Sequence, residues 1–359
     1  MRWPDTPSSL LVTLSTLVVG GLGAAAAWAM TAPIFILLGP AVAVSLAGLG
    51  GMRSGVDPRL RDSCFVVLGI AVGAGFDQDA LGAMLRWPLA FLLMGCVLWL
   101  VLVLSRAILT RFFGFDGRSA LLAGAPGHLS FVIAFAADSR LDVARVSIVQ
   151  SVRLLALTLV VPYIAILLGV EVSSTIAPQG ARIGLVPLAV LACAAVLLGR
   201  VLARLSVPAP LLLGGMVASA TAHLSGLATG VLPNWLIQPA YLVLGALIGT
   251  RFSGVTPAQL LRGLGAGLTV TAVAAGAAVL GALPVALALG IPLAHVMVAF
   301  APGGLETMIA LGVVLGVVPG FVAASHIARL LILTVLLPAM LGRDTRRADP
   351  APPQHERGN

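Results

Sequence analysis

Stretches of apolar residues long enough to cross a bilayer recur about twelve times along this chain, and this limits the fold more than any motif does. A hydrocarbon layer of ~30 Å takes ~20 helical residues. The stretches run near 10–30, 32–50, 64–76, 88–109, 119–137 and 144–170, then near 183–203, 208–227, 237–249, 260–287, 291–315 and 319–341. Lipid offers the backbone no hydrogen bonds, so such segments must satisfy their own, which favours helices. Of the 359 residues, 59% are hydrophobic and 9% charged, whereas a soluble domain carries about a quarter charged. Those figures exclude a soluble enzyme, a DNA-binding domain, a disulfide scaffold and a disordered regulator. The first stretch is longer than the apolar core of a signal peptide and has a counterpart at 183–203, so it reads as a retained helix.

The net charge is +8, and all 21 basic residues are arginine. Most fall between the apolar stretches, as positive-inside sorting requires. If all twelve stretches cross and the N-terminus is inside, the loops hold twelve arginines inside and seven outside. If 64–76 and 237–249 are re-entrant, the split is thirteen to six, so the charge rule prefers neither. No basic cluster with interleaved aromatics suggests nucleic acid. Cys64, Cys96 and Cys193 stand singly in apolar runs and read as buried, inert thiols. No metal or cofactor is expected.

The two sets of stretches are one sequence written twice. Arg153-Leu154-Leu155, ending at Pro162, matches Arg329-Leu330-Leu331, ending at Pro338, at an offset of 176. The same offset places Ala125-Pro126-Gly127 on Ala301-Pro302-Gly303, and Gly69, Gly73 and Phe76 on Gly245, Gly249 and Phe252. Near the front, Pro33 and Gly39 match Pro208 and Gly214 at an offset of 175. The predicted fold is therefore all-α: a polytopic membrane protein of about 10–12 segments in two duplicated halves with broken helices. Its parts are a first repeat at 1–170, a connecting loop at 171–182, a second repeat at 183–341 and a disordered polar tail at 342–359. Whether the repeats are inverted depends on an odd count of true spans; re-entrance of 64–76 and 237–249 would give five each.

Ala-Pro-Gly inside an apolar span in both halves should interrupt each helix, since proline lacks a donor and glycine frees the backbone. The helix restart then offers unpaired amides and a partial positive charge, a natural anion site; a simple proline kink is the plainer reading. Glu306 is the only charged side chain between Arg262 and Arg329 and follows Pro302, Gly303 and Gly304. A charge at membrane depth is functional by default, although Glu306 could instead cap its own helix. Arg153 and Arg329 occupy equivalent places, with Gln150 and His326 one turn earlier on the same face. Snorkelling to the interface is their alternative role. Ser130 falls opposite Glu306, and His128 opposite Gly304. The candidate binding residues are thus Pro126, Gly127, His128, Ser130, Gln150, Arg153, Pro302, Gly303, Gly304, Glu306, His326 and Arg329. Two buried arginines against one carboxylate suit an anion, with a coupled cation or proton. Asp138, Arg140, Asp142 and Arg145 read as a solvated loop, and His223 and His295 as packed and hydrogen-bonded.

At Ala301–Met308, the Arg329-Leu330-Leu331 helix, and Leu37-Leu38-Gly39-Pro40 with its partner Leu212-Leu213-Gly214-Gly215, the chain resembles the membrane AbrB family, or AbrB-duplication family. The resemblance covers nearly everything but the tail. It implies a multi-pass protein of the bacterial inner membrane, grouped with bile-acid and sodium–proton antiporter folds. Some members carry the label of gene-expression regulator or ammonia monooxygenase. The first half departs from the fuller motif at His128 and Ser130. A monooxygenase would need clustered imidazoles, and the five histidines are scattered; a direct transcriptional regulator would need a DNA-reading module that no loop can hold. The sequence reads as a secondary transporter rather than an enzyme, with a membrane sensor acting indirectly on gene expression as the alternative. Its expected partners are the bilayer and a small-molecule or ion substrate, not nucleic acid, with a homodimer left open.

Overall fold

The computed structural model describes residues 10–76, 87–126, 132, 141–170, 180–205, 207–317 and 319–345. Among the described residues the protein has thirteen α-helices and no strand. The first half holds α1 (Leu10–Ala29), α2 (Phe35–Leu49), α3 (Pro58–Gly73), α4 (Trp87–Phe113), α5 (Gly117–Gly124) and α6 (Val143–Leu167). The second holds α7 (Leu185–Arg204), α8 (Pro210–Leu224), α9 (Asn234–Gly249), α10 (Pro257–Leu289), α11 (Leu293–Phe300), α12 (Leu305–Val314) and α13 (Pro319–Thr345). Six of these helices are long and apolar enough to cross a membrane. This is a multi-pass membrane protein.

Helix ends follow local chemistry. Asp57 accepts the Arg59 amide with Pro58 at the first position of α3, and Asp142 accepts the Arg145 amide at the start of α6. Thr256 and Gln259 form a reciprocal capping box at the start of α10, and Gly290, at φ 66°, ends it. One unusual corner occurs twice. Ile34 before α2 and Ala209 before α8 both sit in the left-handed region, at φ 49° and 47°. They are equivalent positions, each preceded by proline, and a β-branched residue there is strained.

The halves interlock: α3 packs on α8, and α9 packs on α2. A Cβ at Gly69 would lie 2.2 Å from the Leu212 carbonyl oxygen, and one at Gly245 would lie 2.4 Å from that of Leu37. These are the same contact made twice, with the roles of the halves exchanged. Backbone must touch backbone here, so only glycine fits.

Helix directions show the repeats to be inverted. Gly281 of α10 meets Val97 of α4, and Gly265 meets Phe113, so these equivalent helices are antiparallel. Gly263 meets Ile148 and Gly267 meets Val152, so α6 runs parallel to α10. Trp87 stacks edge-on against Phe321 at 5.4 Å, and Ile332 approaches Gly95, so α13 runs parallel to α4.

The structure corrects the span count. Residues 291–315 do not form a crossing helix. They form α11 and α12, of eight and ten residues, each only ~12–15 Å long. Leu293, His295, Leu315 and Gly316 line one cavity of about 370 Å³ with Leu168 and Val170, so both outer ends of α11 and α12 lie together. The pair is a re-entrant hairpin. In the first half α6 likewise starts beside the start of α5, with Arg145 donating to the carbonyls of Gly114 (3.1 Å) and Phe113. The stretch expected as a span at 119–137 is helical in α5 only to Gly124, and most of the rest lies outside the described residues. Conversely, the stretches at 64–76 and 237–249 belong to α3 and α9, sixteen residues each, rather than to re-entrant loops. The opposed directions of the equivalent helices α4 and α10 are what inversion requires. Of the described helices, α1, α4, α6, α7, α10 and α13 have the length to cross, while α2, α3, α8 and α9 are shorter, at fifteen or sixteen residues. Two smaller expectations also change. The last helix continues through Thr345, past the boundary set at 341, and Cys96 and Cys193 are exposed while Cys64 is buried.

Candidate functional site

The two breaks are built from the same parts. In the second half α11 stops at Phe300, Ala301 is extended, and α12 restarts at Leu305 behind Gly304. In the first half α5 stops at Gly124 and Ala125 is likewise extended. Pro126 is buried. Gly127, His128 and Ser130 lie outside the described residues.

A helix that ends inside the membrane leaves carbonyls unpaired and a partial negative charge. Each arginine answers this. Arg153, 1% exposed, donates through Nη1 to the carbonyls of Ala125 (3.1 Å) and Gly124 (3.4 Å), and through Nη2 to Gln150 Oε1. Gln150 Nε2 donates to the carbonyls of Leu122 (2.7 Å) and Ala125 (2.9 Å). In the second half Arg329, 2% exposed, donates through Nη2 to the carbonyl of Ala299 at 3.0 Å. The alternative role, snorkelling to the interface, does not occur. Both guanidiniums close the C-terminal ends of the broken helices, a role for the arginines that the sequence reading did not contain. They are also near enough to one another for their charges to interact. The helices bring them together, since α13 touches α5 and α6 touches α11.

The copies differ in what they leave open. Gln150 has partners on both ends of its amide. His326, its counterpart, is 2% exposed with neither ring nitrogen bonded, and neighbouring Ser325, 0% exposed, has an unpartnered hydroxyl. Both arginine Nε atoms are also unpartnered. Ser325 was not singled out from sequence, yet aligning the halves puts it on Val149, and that exchange of apolar for polar was the readable signal.

Glu306 lies half-buried in the first turn of α12. No side chain caps that helix, so the alternative capping role of Glu306 is absent. Its charge instead interacts with Arg251, which follows α9 in a 3-10 turn spanning Thr250–Phe252 and also feels Arg61 at the start of α3. The hairpin is pinned to α9 by buried Tyr241, whose hydroxyl donates to the Ala310 carbonyl at 2.9 Å. The remaining candidates fall outside the site. His223 bonds the carbonyls of Ser219 and Gly230, as expected. His295 does not follow expectation: it is half-buried with Nδ1 unpartnered, beside the cavity at the mouth of the hairpin. Asp142 caps α6, and Arg145 lies over the Phe115 ring at 3.8 Å.

Compared with known sequences, residues 36–343 match the family model described as "Transition state regulatory protein AbrB". The chain belongs to the AbrB family. It is similar to "Uncharacterized protein YhjN" of Bacillus subtilis (strain 168), 28% identical over 342 residues, covering 89% of this chain and 85% of that protein. It is also similar to "Putative regulator AbrB" of Escherichia coli (strain K12), 27% identical over 248 residues, covering 65% of this chain and 67% of that one. The AbrB match spans both breaks and both buried arginines, so the site lies within the shared part of the chain.

Proposed function

We propose that this AbrB-family protein is a secondary transporter of the bacterial inner membrane for a small anion, with ion or proton coupling. One observation carries the reading. Two buried arginines, one from each inverted repeat, lie at the tips of broken helices near enough for their charges to interact, and among the described residues no carboxylate is bonded to either. Buried like charges that interact across a repeat boundary are relieved by an anion between them. Broken helices at a repeat interface are also where secondary transporters hold their solutes, with one bundle rocking against the other. Pro126, Gly127, His128, Ser130, Gln150 and Arg153 on one side, and Pro302, Gly303, Gly304, Glu306, His326 and Arg329 on the other, would face the solute. In this reading no step makes or breaks a covalent bond and the protein is not an enzyme. Its partners are lipid and solute, with no nucleic acid, and a homodimer is compatible with the exposed apolar face of α7.

Reconstituted vesicles test the proposal. Wild-type protein should accumulate or exchange a labelled organic anion under an ion or proton gradient. Arg329→Met should abolish accumulation while the protein still inserts, and Glu306→Gln should uncouple uptake from the gradient. Binding without accumulation would identify a sensor instead, a reading in keeping with the printed name of the Escherichia coli relative.

A further inference from the structure

The internal duplication supplies a control within one molecule: the same site built twice, once closed and once open. In the first copy every polar atom of Gln150 is bonded, and the Arg153 guanidinium has three acceptors. In the second copy the imidazole of His326 replaces that amide, Ser325 replaces Val149, and Arg329 has a single acceptor. His326, Ser325 and Arg329 are 0–2% exposed, so bulk water does not satisfy them. Leaving buried donors and acceptors unpaired is costly. A purely structural role would favour keeping glutamine.

We infer that the second break carries the selectivity of the site, that His326 reads the ligand there, and that the ligand is an anion carrying its own hydroxyl beside its charged oxygens. This rests on the transporter reading for its location, but it concerns binding alone. The chemistry follows from the open valences. The Nε–H of Arg329 and one imidazole nitrogen donate, which calls for acceptor oxygens. In its neutral form the imidazole also accepts through its other nitrogen, and Ser325 can do either, which calls for a donor on the ligand. Glu306 interacts with Arg251 rather than with Arg153 or Arg329, so the two buried guanidiniums leave positive charge for an anion to neutralise. A 2-hydroxycarboxylate and dihydrogen phosphate share this chemistry.

Equilibrium binding to the purified full-length protein in detergent, at pH 6, separates the possibilities. The probes are glycolate, acetate and inorganic phosphate. Acetate keeps the carboxylate of glycolate but lacks its hydroxyl. Wild-type protein should bind glycolate or phosphate at least tenfold more tightly than acetate, because a site with buried polar groups rejects a ligand that leaves them unpaired. Glycolate binding assigns the site to a carboxylate, and phosphate binding alone assigns it to phosphate. His326→Gln copies Gln150, whose acceptor carbonyls correspond to those of Val298 and Ala301. This variant should fold, melt at or above the wild-type temperature, and lose the tenfold preference. Ser325→Val copies Val149 and should weaken glycolate relative to acetate even if the histidine variant does not fold. Equal binding of glycolate and acetate, or wild-type preference in both second-copy variants, would each overturn the inference. Failure of vesicle uptake alone would overturn only the transporter reading.

Discussion

The two buried arginines should differ sharply in what they contribute to stability, and this difference can be worked out from their bonds. Arg153→Met keeps most of the aliphatic stem and removes the guanidinium. Ala125 keeps the Gln150 amide on its carbonyl, but Gln150 Oε1 and the Gly124 carbonyl lose their donor. Two buried acceptors left unpaired cost ~1–3 kcal/mol each. Relief of burying the cation itself offsets part of this, by up to several kcal/mol. The net expectation is a loss of about 2–3 kcal/mol. Arg329→Met orphans only the Ala299 carbonyl, and because either substitution removes the repulsion between the two arginines, its cost should be lower by the one acceptor fewer and stay under ~1 kcal/mol. Equilibrium unfolding in mixed micelles, followed by tryptophan fluorescence, would measure both. Equal destabilisation by the two substitutions, or a greater loss at Arg329, would refute the assignment of Arg153 as a closed structural cap and Arg329 as an open one.

Other consequences are equally direct. Gly69→Ala and Gly245→Ala should each cost ~1–3 kcal/mol, because each new Cβ would press on a backbone carbonyl that cannot move aside; similar losses in the same unfolding assay would support the two-fold seam. Single cysteines at Gly114 and Gly290 should react with an impermeant thiol reagent from opposite faces of oriented vesicles, and labelling from one face would refute inversion. Asp116 caps α5, and although burial pushes its carboxyl up, hydrogen bonds from Ser119 and the Arg118 amide outweigh this and hold it below the ordinary carboxylate value. Its contribution is therefore present above the unfolded carboxyl pKa and is lost as pH falls through the depressed folded value. Asp116→Asn keeps an acceptor but cannot titrate, and should flatten that part of the acid unfolding curve.

Much of this architecture was legible because lipid imposes simple rules: apolar length marks helices, and a constant offset marks duplication. The seams and the paired arginines followed from that offset. What stayed hidden was the depth of the segment at 291–315. Its hydropathy is that of a crossing helix, since a re-entrant hairpin also needs an apolar surface. Only the meeting of Leu293 with Leu315 around one cavity reveals the return. That misreading also obscured the orientation. By the helix directions, the arginines of the α2–α3 loop, the α4–α5 junction, the start of α6, the end of α7 and the α9–α10 junction all gather at one end of the described molecule. Among the described loop residues Arg182 alone marks the other end. By the charge rule, undecided from sequence, the arginine-rich end is the one expected to face inward. The arginines themselves were read as ligands or snorkels because a one-dimensional pattern does not show which carbonyls a broken helix leaves behind.

The glycine seam also has a consequence in time. Leu37 and Pro40 lie on the face of α2 that α9 covers, and Gly69 on the face of α3 that α8 covers, so neither half can complete its own interior. About 205 residues separate Pro40 from Gly245. At a synthesis rate of ~5–20 residues per second, the nascent first half waits roughly 10–40 s for its cover. During that interval its small-residue face is open to any other helix in the bilayer, including the same face of a neighbouring nascent chain. Quality control in the membrane would therefore meet this protein first as an unfinished half, and exchange of halves between chains is the assembly error to which such a design is most exposed.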